Sequence, residues 1–210
     1  MKLTTLTVDK FIEEVAGDSP APGGGSVAAL AGALGAALCS MVASLTLGKD
    51  KYREVFPEMR LMEGALHTFT VKLLELVDSD TEAYEGVMRA FKMPRDSEAD
   101  KMLRSETIQS ANKHAASVPM ETLRTLRKAV VFADMAIKKG NENCISDAGV
   151  GVQLIRAAAL GAAYNIRINL LSITDDKFSS KINKEMTKLL GDIMSAVEKL
   201  EIMVEERLSV

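Results

Sequence analysis

Asp80 is the residue of this 210-residue chain whose position points most directly to chemistry. Apolar residues at steps of three or four form a seam along its segment, and Asp80 fills the missing step between Val77 and Tyr84. A carboxylate that faces a core is costly to ionise, and desolvation raises its pKa. A general acid or base needs those conditions, whereas a nearby Lys, Ser or helix N-terminus would make Asp80 structural. The neighbouring carboxylates are expected on the solvated face: Asp78, Glu82 and Glu85.

A glycine-rich loop is the second candidate site. Residues 19–48 carry no charge and begin with prolines and three consecutive glycines. Proline fixes φ, and glycine lets another molecule approach the backbone closely. Ser26 stands where a helix N-cap is expected, so the loop leads into a helix N-terminus, which favours anions and polarised carbonyl groups. The predicted binding loop comprises Pro22, Gly23, Gly24, Gly25 and Ser26.

A third polar cluster covers residues 140–147. Ser146 or Asp147 can cap the helix that follows, and contact with a ligand is the alternative. Further along, Asn165 and Asn169 lie four residues apart on one helical face. Asp147 and Asn165 share roughly the same face, but eighteen residues of helix separate them by about 27 Å. They therefore serve different ends of a long ligand, different sites, or one site that two subunits share.

Helices must position all of these residues, because helical periodicity dominates and strand signals are nearly missing. Prolines, glycines and polar turns delimit predicted helices at about 8–16, 26–47, 57–92, 96–138 and 146–172, with a last one from 175 almost to the C-terminus. Pro119 is expected to kink or divide the fourth helix near Val118. The sequence predicts one all-α domain over residues 1–210, a bundle of long antiparallel helices.

Composition excludes several classes of protein. A net charge of −3, no dense basic run and 4% aromatic residues argue against a nucleic-acid partner. The Ala- and Gly-rich segment 26–47 approaches the length of a membrane span, but its modest hydrophobicity favours a buried helix of a soluble bundle. Cys39 and Cys144 lie far apart, and neither His67 nor His114 has metal-ligand spacing. We expect a reduced, cytoplasmic protein with no metal site and no membrane association.

Five segments in order resemble the motifs of the formiminotetrahydrofolate cyclodeaminase family, which includes stand-alone methenyltetrahydrofolate cyclohydrolases. They are PAPGGGSVAAL, LTLGKDKY, DSDTEAYEGVMRAFKMPR, GNENCISDAGVG and AAYNIRINL. The resemblance runs from about residue 8 to 204 and includes no formiminotransferase domain. It implies an all-helical homodimer that acts on one-carbon folates, with or without a polyglutamate tail, and uses no metal or nicotinamide cofactor.

The resemblance also assigns roles to residues. It makes Asp80 the acid for the departing nitrogen and adds Asp147 as a second catalytic residue. The loop residues Pro22 to Ser26 would frame the pterin or the reacting carbon. Other substrate contacts are expected from Lys51, Tyr52, Arg95, Asn141, Asn143 and Ser146. Asn165 and Asn169 match the last motif and are expected to serve packing or an interface. The chain departs from the commoner family pattern in reading Asp-Thr-Glu-Ala and Met-Pro-Arg.

Three functions follow as alternatives. The main prediction is a cyclodeaminase, a C–N lyase that converts 5-formiminotetrahydrofolate to 5,10-methenyltetrahydrofolate and ammonia. The second is a cyclohydrolase that opens 5,10-methenyl- to 10-formyltetrahydrofolate, and the sequence does not separate the two. A silent folate-binding or scaffolding protein would have lost the seam carboxylate or the glycine loop, and both are present. Two rows of small residues on the central helix predict an obligate homodimer.

Overall fold

A computed structural model describes residues 2–209 of the protein. This part of the chain consists of helices and their connections and contains no strand. The long helices are α1 (Val8–Ala16), α2 (Gly24–Leu47), α3 (Phe56–Phe91), α4 (Glu98–Lys139), α5 (Ile145–Leu170) and α6 (Asp176–Leu208). Short 3-10 helices lie at Leu3–Thr5, Asp50–Val55 and Glu142–Cys144. The predicted all-α fold class is confirmed, and each predicted helix is present to within a few residues.

Helix α2 is the centre of the bundle, packed between α3 and α5 and against α4. By length and composition it could cross a membrane, but 56% of its most apolar window is buried inside the bundle. Small residues allow this packing, since a Cβ on Gly35 would lie 2.8 Å from the carbonyl oxygen of Gly151. Helix α5 runs antiparallel to α2, because Gly161 lies beside Ala28 at the other end of the contact.

Pro119 lies inside α4 without dividing it, so of the kink or division expected near Val118 the division is wrong. Proline has no N–H, which leaves the carbonyl oxygen of Ala115, four residues earlier, without its helical donor. The side-chain amide of Asn169 in α5 supplies that donor at 2.9 Å. Both Ala115 and Pro119 are buried, so this bond satisfies a carbonyl that water reaches poorly.

Two predicted helix caps are also wrong. The N-cap of α2 is Gly23, and Ser26 is the third residue of the helix. The N-cap of α5 is Cys144, which makes no side-chain capping bond, so neither Ser146 nor Asp147 has that role. Ser26 is therefore free to use its hydroxyl elsewhere, and its partner lies in α3.

Candidate active site

Asp80 joins the middle of α3 to the first turn of α2. Its Oδ2 accepts a hydrogen bond from the backbone N–H of Ser26 at 2.9 Å, and the Ser26 hydroxyl lies 3.3 Å from the same oxygen. That hydroxyl donates to the carbonyl oxygen of Val77 at 2.8 Å. Ser26 is fully buried and Asp80 partly buried. The carboxylate thus satisfies one of the N–H groups that a helix leaves unpaired at its start.

Two opposing effects act on the Asp80 carboxyl. Burial raises its pKa above the ordinary value for aspartate, and the hydrogen bonds from Ser26 partly offset that rise. No cation of residues 2–209 forms a salt bridge with Asp80. The burial predicted from the seam is confirmed, and a serine at a helix N-terminus, the partner named in the structural alternative, also contacts the carboxylate. Asp80 is held in place while remaining able to carry a proton.

Asp78, two residues earlier, has a different role and is not simply solvated as expected. Its Oδ1 accepts from the backbone N–H of Leu3 at 2.6 Å, and its Oδ2 accepts from the Thr4 hydroxyl at 2.8 Å. Asp78 therefore fastens the N-terminal turn to α3. Glu82 and Glu85 are exposed, as expected.

The glycines of the loop give room to side chains of α3 and α5. A Cβ on Gly25 would collide with the carboxylate of Asp80, and one on Gly24 would lie 3.2 Å from Nδ2 of Asn165. Gly23 is less constrained, with its nearest neighbour at 3.4 Å. No glycine of residues 2–209 has a positive φ. These glycines are therefore required for close approach and not for a left-handed backbone. The preceding Pro22 is buried and follows a cis peptide bond.

A cleft of about 310 Å³ opens beside Asp80. The loop, α3, α4 and α5 all contribute to its wall, which mixes apolar and polar side chains. The loop and α3 supply Pro20, Ala21, Gly23, Gly24, Asp80, Tyr84, Val87 and Phe91, and α4 and α5 supply Asn112, Ala115, Asn165, Ile168, Asn169 and Ser172. A larger groove of about 630 Å³ lies between α5 and α6, away from Asp80.

The sequence assigned none of the three asparagines in this wall to the site, and for Asn165 and Asn169 it left a site role and an interface role open. Asn165 and Asn169 were expected to serve packing or an interface, and their four-residue spacing already placed them on one face. Asn112 was not singled out, because no spacing within α4 relates it to the other two. Only the packing of α4 on α5 brings all three into the cleft that contains Asp80.

The remaining predicted residues form a distal cluster at the other end of α2, defined as Lys51, Tyr52, Asn141, Asn143, Ser146 and Asp147. The Tyr52 hydroxyl accepts from the backbone N–H of Glu142 at 3.1 Å and donates to Oδ1 of Asn141 at 3.4 Å. The Thr46 hydroxyl accepts from the N–H of Asn141 at 2.8 Å. Since Thr46 follows Ser26 by twenty residues of helix, about 30 Å separates this cluster from Asp80.

One chain therefore does not unite all the predicted site residues. The distal cluster stands apart from the cleft, as the sequence spacing of Asp147 and Asn165 indicated. Arg95 is exposed in the turn after α3 and does not line the cleft. The residues that do meet are the glycine loop, Ser26 and Asp80, together with the three asparagines.

Comparisons with known proteins identify the family of this chain. The family model described as formiminotransferase-cyclodeaminase matches residues 7–188. The chain belongs to the formiminotransferase-cyclodeaminase family. A methenyltetrahydrofolate cyclohydrolase from Methylorubrum extorquens is 36% identical over 207 residues, which cover 97% of this chain and 98% of the relative. The pig formimidoyltransferase-cyclodeaminase is 35% identical over 87% of this chain, but that match spans only 34% of the pig protein.

A solved structure extends the family match to three dimensions. The formiminotetrahydrofolate cyclodeaminase of Thermotoga maritima aligns with a TM-score of 0.87 and 33% identity. The alignment covers 96% of this chain and 97% of that one. The helical bundle described above is thus the fold of this family.

Proposed function

We propose that this protein is a formiminotetrahydrofolate cyclodeaminase, which closes 5-formiminotetrahydrofolate to 5,10-methenyltetrahydrofolate and releases ammonia. The observation that carries this proposal is the environment of Asp80, which lies in the wall of a cleft. Burial raises the pKa of its carboxyl group, and no salt bridge within residues 2–209 neutralises it. The near-complete overlap with the cyclodeaminase of Thermotoga maritima supports this choice.

The reaction needs one group that gives and takes a proton. N10 of the folate attacks the carbon of the protonated formimino group, so an N10–C bond forms, the C=N bond becomes single, and a tetrahedral carbon that carries an NH2 group bridges N5 and N10. The neutral Asp80 carboxyl protonates the former imino nitrogen, the C–N bond to it breaks, and ammonia leaves. The Asp80 carboxylate then takes the proton lost from N10, which restores the acid. Holding N10 against the carbon in a small cleft lowers the entropic part of the barrier.

A second candidate function is the cyclohydrolase reaction, which the similarity to the Methylorubrum extorquens protein favours. Water attacks the methenyl carbon while the Asp80 carboxylate accepts a proton from it. The C–N5 bond then breaks, N5 receives that proton from Asp80, and the hydroxyl group loses its own proton to solvent as it becomes the formyl C=O of 10-formyltetrahydrofolate. Both reactions pass through a tetrahedral carbon between N5 and N10, so the same carboxyl group in the same cleft would serve either.

A direct assay separates the candidates. Purified protein is incubated with 5-formiminotetrahydrofolate in one experiment and with 5,10-methenyltetrahydrofolate in another, and the absorbance of the methenyl chromophore is followed. A cyclodeaminase makes the chromophore appear and releases ammonia in equal amount. A cyclohydrolase makes the chromophore disappear faster than in buffer alone. A protein that binds both folates but changes neither would be the non-catalytic folate-binding protein of the third alternative.

We further propose that the active form is a homodimer. Helices α2 and α5 pack against each other and both contact α4, and each has a side that keeps apolar residues exposed. Those sides carry an exposed apolar face made of Val27, Leu34, Met41 and Leu45 on α2, and of Val150, Tyr164, Ile168 and Leu171 on α5. Burying this face against a second copy would remove a large apolar area from water.

The dimer proposal also accounts for the distal cluster. The apolar face runs from the Asp80 cleft, which Ile168 also lines, to the N-terminus of α5 near that cluster. A two-fold axis across the middle of the face exchanges its two ends. It would bring the Lys51 and Asp147 of one subunit towards the Asp80 cleft of the other. Lys51 is exposed, and we propose that it holds the folate glutamate, including any polyglutamate tail.

A further inference from the structure

Three asparagine side chains in the Asp80 cleft are anchored in the same way. Each uses its amide group to reach a backbone carbonyl oxygen, at 2.9 to 3.1 Å. The bonds run from Asn112 to Ser172, from Asn165 to Gly161 and from Asn169 to Ala115. We call these three side chains the amide set.

These bonds fix which way each amide points. A backbone carbonyl oxygen can only accept a hydrogen bond, so the side-chain atom beside it must be Nδ2. Each Oδ1 therefore points away from its anchor. Within residues 2–209 no donor reaches these oxygens, and the only buried side-chain atom there without a partner is Oγ of Ser179. The three oxygens are thus reachable from the cleft that their residues line.

The anchors are also rigid. Asn169 binds the carbonyl oxygen of Ala115, which has no helical donor because Pro119 lacks an N–H group. The side-chain bond therefore replaces the missing backbone hydrogen bond of α4. Asn112 is only 5% exposed and binds the carbonyl oxygen of Ser172, just past the end of α5. Fixed acceptors select partners by geometry better than mobile ones, because little conformational entropy remains to be lost on binding.

The amide set extends away from Asp80. Asn165 lies next to Gly24, whose neighbour Gly25 faces the Asp80 carboxylate. Asn169 follows one helical turn later, about 6 Å further along α5. Asn112 meets Ser172 beyond it, at the far end of the cleft. The cleft thus has a carboxyl group at one end and a row of hydrogen-bond acceptors that leads away from it.

We propose that the amide set binds the donor edge of a tetrahydropterin, that is, its adjacent N3–H and 2-amino groups. This inference rests on the proposed function. Each anchor uses one of the two N–H groups of its amide, so each side chain still offers Oδ1 as an acceptor beside one free N–H. The N3–H and 2-amino groups are adjacent donors that two of these oxygens can accept from, and a ligand that lacks the 2-amino group leaves one of the oxygens unpaired. With that edge on Asn112 and Asn169, N5 and the one-carbon unit lie towards Asp80. The amide set would then place the substrate and select the 2-aminopyrimidinone ring.

A purely structural role for these asparagines makes a different prediction. Removing a hydrogen bond that holds α4 to α5 would weaken the binding of every ligand to the same extent. Removing an acceptor of the 2-amino group would weaken binding only of ligands that have this group. The experiment therefore compares two stable ligands on the full-length protein: 5-formyltetrahydrofolate and its 2-desamino-2-methyl analogue.

Calorimetric titration of the wild-type protein is expected to show at least about tenfold tighter binding of the amino ligand, the scale of one hydrogen bond in a buried site. The variants Asn112→Ala and Asn169→Ala should each reduce this affinity ratio to below about threefold, mainly because they bind the amino ligand more weakly. Asn183→Ala, an exposed asparagine on α6, is the matched control and should keep the wild-type ratio.

The outcomes are distinct. Equal affinity of the wild-type protein for the two ligands would overturn the inference, whether or not the variants fold. Variants that bind both ligands more weakly but keep the wild-type ratio would overturn it too and show a structural role. If the wild-type protein bound neither folate, the proposed function itself would fall. Turnover of folate by a protein without ligand discrimination would leave the proposed function standing and remove only this inference.

Discussion

Asp80 and Ser26 are 54 residues apart in the chain, yet the backbone N–H of Ser26 donates to the Asp80 carboxylate at 2.9 Å. This bond places the carboxyl group at the positive end of α2, which favours its charged form, while burial favours its neutral form. Burial has the larger effect, so the pKa of Asp80 is raised above the ordinary value for aspartate. A group with this environment can release and recover a proton within one catalytic cycle.

The first prediction concerns that proton. Asp80→Asn should keep the fold but lower kcat by about 10²-fold or more, because an amide cannot protonate the departing nitrogen. Asp78→Asn is the control, since Asp78 binds the N-terminal turn and does not line the cleft. The methenyl assay measures both variants. Near-wild-type turnover by the Asp80 variant, with the Asp78 variant impaired, would refute the assignment of the acid.

The second prediction concerns stability and pH. Because the Asp80 pKa is raised by folding, the folded state binds the proton more tightly than the unfolded state, and stability falls as pH rises between the two pKa values. Asp80→Asn removes the buried charge, so at pH 8 the variant should be at least as stable as the wild-type protein. Below the unfolded pKa of about 3.9 this advantage should vanish.

Urea unfolding at both pH values tests this, again with Asp78→Asn as the comparison. Asp78→Asn should cost about 1 kcal/mol at pH 8, because it weakens the two hydrogen bonds that Leu3 and Thr4 donate to this side chain. A larger loss for Asp80→Asn than for Asp78→Asn at pH 8 would contradict the proposed electrostatics.

The third prediction uses the glycine loop. A methyl group on Gly25 would collide with the Asp80 carboxylate, so Gly25→Ala should displace Asp80 and abolish most activity. Gly191→Ala on α6 is the matched control, since nothing in residues 2–209 packs within 4 Å of the new methyl group and α6 does not line the cleft. Turnover and thermal melting are measured for both. Wild-type turnover by Gly25→Ala would show that Asp80 does not depend on the close contact with Gly25.

The fourth prediction concerns assembly. Leu34→Glu places a charge in the middle of the apolar face and should yield monomers, whereas Val131→Glu on the outward side of α4 should not. Sedimentation equilibrium measures the mass of each variant. A fully active wild-type species of 22.7 kDa, the mass of one chain, would rule out an obligate dimer.

The fifth prediction tests whether two subunits share a site. Asp80→Asn and Asp147→Asn should each be impaired as pure proteins. If Asp147 serves the partner's cleft, a dimer with one chain of each kind keeps one intact site. Equal mixing of the subunits should then restore about a quarter of wild-type activity, because half of the dimers are mixed. Absence of any recovery, once exchange of subunits is verified, would place each site within one chain.

Local patterns in the sequence were sufficient to predict the helices and the burial of the Asp80 carboxyl group. The period of apolar residues in α3 singled out Asp80, and the glycines before Ser26 marked the start of α2. Such patterns depend on residues close in the chain, and helices form through contacts three and four residues apart. The caps of α2 and α5 were wrong because several adjacent residues can cap a helix, and the tertiary contacts of each decide between them. Ser26, for example, is drawn to Val77 and Asp80 instead.

The tertiary structure alone decided which of these residues meet. The sequence already placed Asp147 and Asn165 too far apart for one pocket, since helix length follows from residue count. It held no signal that Asn112 of α4 would join Asn165 and Asn169, or that Asn169 would satisfy the carbonyl oxygen exposed by Pro119. These relationships depend on the order and rotation of helices in the bundle. Side-chain packing across whole interfaces sets that arrangement, and no short stretch of sequence contains it.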